Sequence, residues 1–165
     1  KSYRISDRIY YKKSEYDTSK IFYDSAYTFM PETHQLYEST KETQEIPNLV
    51  VTTGKTFVAS RMAGTSAAVM SHMSIGTSAT AAAVGNTTLG SEVARVALAS
   101  TTASNNNIVY VATFPAGTPS SSAGVVEAAI FNASSSGTML CRTVFSIINK
   151  ASTDSLSITW TITAS

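Results

Sequence analysis

Gly54, Lys55 and Thr56 follow a hydrophobic run that begins at Leu49, and an amphipathic stretch comes after them. In that setting a glycine, a lysine and a hydroxyl are the closing parts of a phosphate-binding loop. Backbone N–H groups of such a loop cradle phosphates while the lysine neutralises them. The full motif needs another glycine five positions before Gly54, and that position is Leu49. Leu49, Val50, Val51, Thr52 and Thr53 are apolar or β-branched and resist the left-handed angles that turn N–H groups inward. A metal-binding aspartate after an apolar strand is also missing, because the only aspartate beyond residue 24 is Asp154, which opens a strand. The triplet therefore reads as the start of a helix with an exposed lysine.

Few other side chains offer chemistry. Cys141 is the single cysteine, so it has no internal disulfide partner, and within an apolar strand it reads as a small buried residue. His34 and His72 are the only histidines, and no His-x-x-x-His or Cys-x-x-Cys spacing supports a zinc site. No serine stands in a Gly-x-Ser-x-Gly setting. Beyond residue 47 the acids are Glu92, Glu127 and Asp154, a thin supply for paired-carboxylate catalysis. Asn86 and Asn132 head Asn-x-Ser/Thr triplets, which chance supplies often in a Ser/Thr-rich chain. The expectation is a protein that is not an enzyme and needs no cofactor or metal.

Two charge pairs stand out. Glu127 and Arg142 each sit inside an apolar strand, and a cross-strand salt bridge would satisfy both. Glu92 and Arg95 fall on opposite faces of their strand by parity, so each needs another partner, one possibility being a neighbouring subunit in a homo-oligomer.

The elements that carry these residues are mostly strands. Leu156, Ile158, Trp160 and Ile162 alternate with Ser and Thr, the period of a half-buried strand. Segments 68–75, 92–98, 107–114, 125–131 and 138–145 read likewise, with a hairpin tip at 132–137 between the fourth and fifth of these. Thr53 to Ala63 is the one helix expected, capped by Thr52 or Thr53, stopped at Gly64 and lying over an open end of the sandwich. The fold class is therefore mainly β: an antiparallel β-sandwich or barrel with one short helix and an extended N-terminal arm.

The arm follows from a break in composition near Ile46 and Pro47. Residues 1–47 hold 15 of the 23 charges and seven of the eight tyrosines, and residues 48–165 carry eight charges in all. The division is an aromatic-rich arm, 1–47, and a β-sandwich domain, 48–165. Tyr10, Tyr11, Tyr16, Phe22, Tyr23, Tyr27 and Phe29 are its candidate partner-binding residues, since aromatics supply large contact area with few rotamers. Two readings stay open: the arm lies on a neighbouring protein, or it folds back on its own sandwich as extra strands. Eight acids against seven bases in the arm offer no electrostatic funnel for nucleic acid. The formal net charge of +1 points to no anionic membrane, no run of 18 apolar residues occurs, and the first residues lack the apolar stretch of a signal peptide.

The stretches His72–Thr77, Asn86–Ala97, Val111–Gly117, Val126–Asn132, Gly137–Phe145 and Asp154–Ile162 resemble small structural proteins of tailed bacteriophages. The resemblance runs in order over roughly residues 48–165 and contains no catalytic signature. It implies a virion structural protein on the particle exterior, made in the host cytoplasm. The first expectation is a capsid decoration (cement) protein whose arm grips the major capsid protein, and whose truncation by residues 1–40 leaves a folded sandwich that no longer attaches. A tail, neck or fibre-base adaptor comes second, because a fibre would continue beyond the sandwich. A carbohydrate-binding module is the rival class, weakened because Trp160, the only tryptophan, falls on the apolar face of its strand.

Overall fold

The computed structural model describes residues 8–14, 39–45, 48–65 and 67–164. Among them are ten strands and one helix. The strands are β1 (Arg8–Ser14), β2 (Ser39–Glu45), β3 (Leu49–Val50), β4 (His72–Gly76), β5 (Glu92–Ala97), β6 (Ser100–Ser104), β7 (Asn107–Phe114), β8 (Ala123–Phe131), β9 (Met139–Lys150) and β10 (Ser155–Thr163). Helix α1 spans Thr52–Met62. The strands form two five-stranded antiparallel sheets, β2-β1-β10-β7-β6 (sheet A) and β3-β9-β8-β4-β5 (sheet B). The fold is a β-sandwich.

Alternation explains the packing. Leu156, Ile158, Trp160 and Ile162 point inward from β10, and Tyr110, Ala112 and Phe114 do so from β7. They meet Met73 and Ile75 of β4, Val125, Ala128 and Ile130 of β8, and Leu140, Phe145 and Ile148 of β9 in one buried cluster. At about 25 cal/mol per Å² of apolar surface removed from water, this cluster is the main source of stability.

Sheet B is also covered on its outer side. Val51, Leu89, Ala129, Phe131 and Met139 form a second, smaller buried cluster. The loop 77–91 crosses this face, and its middle reaches α1, where the Thr52 N–H donates to the Val84 carbonyl at 2.8 Å. Hence β4 and most of β8 are buried on both faces, which a two-layer sandwich alone would not produce.

Three expectations change. β6 carries no alternating apolar residues and all five of its positions are exposed, so nothing in its composition marks it as a strand; pairing with β7 makes it one. The segment expected from residue 68 becomes a strand only at His72, although Met70 is buried as a strand residue would be. The helix begins one residue early, with Val51 at the N-cap and no side-chain cap bond, so neither Thr52 nor Thr53 caps it. Thr53 Oγ1 donates instead to the Met139 carbonyl at 3.1 Å, tying α1 to β9. Gly64, with φ of 79°, follows the last turn as expected, its N–H donating to the Arg61 carbonyl.

Gly54 brings the α1 backbone close against β9. A Cβ there would overlap the Leu140 carbonyl oxygen, so the helix approaches this closely only because residue 54 has none. Gly54→Ala is expected to cost about 1–3 kcal/mol, the usual penalty of overpacking. Urea unfolding would read it; a variant as stable as the parent would show that α1 moves away at no cost.

Two segments of the N-terminal region pair with the sandwich. β1 runs antiparallel to β10, with Ile9 opposite Trp160 and Ser14 opposite Ser155, and β2 pairs with β1. Of the two readings of the arm, residues 8–14 and 39–45 follow the fold-back one.

Candidate functional site

The outer face of sheet B is where buried charge, glycines and irregular loops converge. Glu127 and Arg142 are 0 % and 2 % exposed. Ala129, not Glu127, lies directly opposite Arg142, so the ion pair is a diagonal one across β8 and β9. Arg142 Nε and Nη2 both donate to Glu127 Oε2, at 2.9 and 2.8 Å.

The rest of their bonding goes to the loop. Glu127 Oε1 accepts the N–H groups of Ser78 (3.1 Å) and Ser91 (2.8 Å), and Oε2 accepts that of Gly90 (3.0 Å). Arg142 Nη1 donates to the Ala81 carbonyl and to Asn86 Oδ1, and Nη2 donates to the Thr80 carbonyl. One carboxylate and one guanidinium thus tie both ends and the middle of loop 77–91. Gly76 lies against the carboxylate, and a Cβ there would press on Glu127 and on the Ser91 carbonyl. Burial pushes the Glu127 carboxyl up. The N–H donors of Gly90 and Ser91, Arg142 and the Ser78 N–H outweigh that and hold it below its ordinary value of 4.5.

Arg95 is a second staple. It donates to both oxygens of Glu92, at 2.9 and 2.7 Å, and its Nη1 donates to the carbonyls of Ala133 and Ser136 in the β8–β9 turn. Its guanidinium lies 3.7 Å from the centre of the Phe131 ring, a cation–π contact. Glu92 and Arg95 therefore partner each other, and neither needs a neighbouring subunit. Parity fails because the β4–β5 register slips between Ile75 and Gly76: Ile75 faces Ala94 but Gly76 faces Glu92. Such a bulge resets the alternation of the strand.

A third charge group lies at the opposite end of β9. Lys150, 2 % exposed, donates to the carbonyls of Asp154 (2.8 Å) and Pro115 (3.3 Å). Burial pushes its ammonium down, and nearby Asp154 opposes that shift.

The residues singled out in the sequence divide sharply. Glu127 and Arg142 come together as expected. Cys141 and Trp160 are buried in the main core. His72 Nδ1 lies 2.8 Å from Ser71 Oγ. Gly54, Lys55 and Thr56 are in the first half of α1, and Thr56 Oγ1 donates to the Thr52 carbonyl. Tyr10 lies opposite Thr159 and Tyr11 opposite Ile158 in the β1–β10 pairing. Tyr16, Phe22, Tyr23, Tyr27 and Phe29 lie outside the described residues. A groove of about 310 Å³ runs beside α1, lined by Thr53, Thr56, Phe57, Ser60, Thr65 and Thr138 among others. Among the described residues no three His, Cys, Asp or Glu side chains gather as metal ligands, and no helix is long and apolar enough to cross a membrane.

Loop 77–91 itself was not expected to matter. It has no charged residue and no regular pattern. The one sign of it lay elsewhere, in two opposite charges placed inside apolar strands. Chemically the arrangement holds loops still: the buried charges are spent on one another and on backbone groups. Comparison with protein-family models, with curated proteins and with solved structures finds no match for the chain.

Proposed function

We propose that this protein is a virion structural protein, a capsid decoration (cement) protein that attaches to neighbouring shell subunits through its N-terminal arm, residues 1–47, by the parts of it outside β1 and β2. The observation that carries the reading is the use made of the buried charge. Glu127 and Arg142 bond to each other and to loop 77–91, and Arg95 bonds to Glu92 and to loop 132–136, where they serve rigidity rather than reaction. A neutral surface of Ser, Thr, Ala and Gly on pinned loops suits close packing against other subunits. Repeated copies then add weak contacts as avidity. The resemblance of residues 48–165 to small phage structural proteins supplies the setting.

The test is copy number in purified particles, by quantitative peptide mass spectrometry against the major shell protein. Hundreds of copies per particle are expected. About a dozen would favour the second reading, a neck or tail adaptor, and none would overturn both. Among the described residues, the groove beside α1, with its threonine hydroxyls and Phe57, favours saccharide binding. A glycan array without a hit would remove that reading.

A further inference from the structure

Helix α1 is poorly covered. Gly54, Val58 and Met62 follow one another at intervals of four and form one row along it. Gly54 is buried, but Val58 is 44 % exposed and Met62 85 % exposed. The row that begins in contact with β9 thus opens into solvent with its apolar side chains uncovered. An eleven-residue helix gains little from propensity alone, and its stability comes from packing.

The charges around this row are one-sided. Beyond residue 47 each acid sits beside a base: Glu92 with Arg95, Glu127 with Arg142, Asp154 with Lys150. The two bases left over, Lys55 and Arg61, are both on α1, both exposed, and flank the apolar row. Among the described residues neither has an acidic partner; Arg61 donates to the Ala67 carbonyl. The face calls for an acidic segment with large apolar side chains.

Residues 15–38 have that composition. They carry Glu15, Asp17, Asp24, Glu32 and Glu38 against a single base, Lys20, along with six aromatic residues. We propose that α1 is the docking face for residues 15–38 of a second copy of this chain. Reach argues for a second copy. Residues 15–38 join Ser14 to Ser39, which pair with each other, and Ser14 lies opposite Ser155. That is the Lys150 end of the sandwich, where Lys150 meets Asp154. α1 sits against Leu140, at the other end of β9. Leu140 to Lys150 along the strand is about 33 Å at ~3.3 Å per residue. A 24-residue segment anchored at both ends reaches at most about 40 Å when fully stretched, which leaves almost no chain to lie on its own helix. A neighbouring copy is free of that limit.

The inference rests on reading residues 1–47 as a partner-binding arm. Its test uses the full chain in solution. Sedimentation should show concentration-dependent self-association that weakens with salt. K55E/R61E should weaken it about tenfold or more, since it sets like charges against the arm, and D17K/D24K should do the same. Mixing the two variants should restore association. Zero-length carboxyl–amine crosslinking of mixed light- and heavy-isotope chains should join Lys55 to residues 15–38 between chains. A monomer at all concentrations, crosslinks within one chain only, or unchanged association of the charge-reversed variants would each overturn the proposal. Particle copy number is read separately. A monomeric protein abundant on particles would end this inference and leave the decoration reading intact. An arm-to-helix oligomer missing from particles would do the reverse.

Discussion

Glu127→Gln is expected to destabilise the fold by about 3–5 kcal/mol, the usual cost of breaking a buried ion pair by removing one partner. Glutamine keeps the shape but leaves the Arg142 guanidinium, 2 % exposed, without a counter-charge. Its amide also replaces one acceptor oxygen with a donor, where Glu127 now accepts three backbone N–H groups and two guanidinium bonds. Loop 77–91 should be released first, seen as faster amide exchange at Ser78, Gly90 and Ser91. Urea unfolding at neutral pH reads the global loss, and a variant within about 1 kcal/mol of the parent would refute the staple.

The same carboxylate predicts a pH dependence. Its value in the folded protein lies below 4.5, so the folded state binds this proton less readily than the unfolded chain. The stabilisation is complete above 4.5 and is lost as pH falls through the lower, folded value. Parent and Glu127→Gln stabilities should therefore converge in acid. A difference that stays constant from neutral pH down to about pH 2 would show that the pair does not act through charge.

Trp160→Ala is the second large effect, at about 3–5 kcal/mol. Trp160 is fully buried, in the middle of β10, between the two sheets. Its indole N–H has no hydrogen-bond partner, so its contribution is packing alone. Trp160→Phe should therefore cost less than the alanine variant, because it keeps a ring and strands no polar partner. Denaturant midpoints of the two variants decide the point, and equal losses would mean that the indole N–H matters after all.

Much of the sandwich was legible residue by residue. β10 announces itself by strict alternation, because a strand with one face in the core alternates, and β7 by an apolar run that stops at Pro115. Glu127 and Arg142 announced their pairing, because a charge inside an apolar strand needs an opposite charge. β6 could not be read, since an exposed edge strand has no buried face to impose a pattern. The Glu92–Arg95 pair was misread because parity assumes a regular strand, and the bulge opposite Gly76 breaks it.

By itself the sequence determined the fold class, the position of the helix to within a residue at its start, and the inward-facing residues of β10. All of these depend on the period of side chains along one segment. The tertiary structure alone decided that loop 77–91 crosses the outer face of sheet B, that six loop groups converge on Glu127 and Arg142 besides the ion pair's own bonds, and that Val58 and Met62 of α1 face solvent while Gly54 and Phe57 meet the body. These depend on which residues distant in the chain come to share a surface, and local periodicity carries no information about the route of an irregular loop.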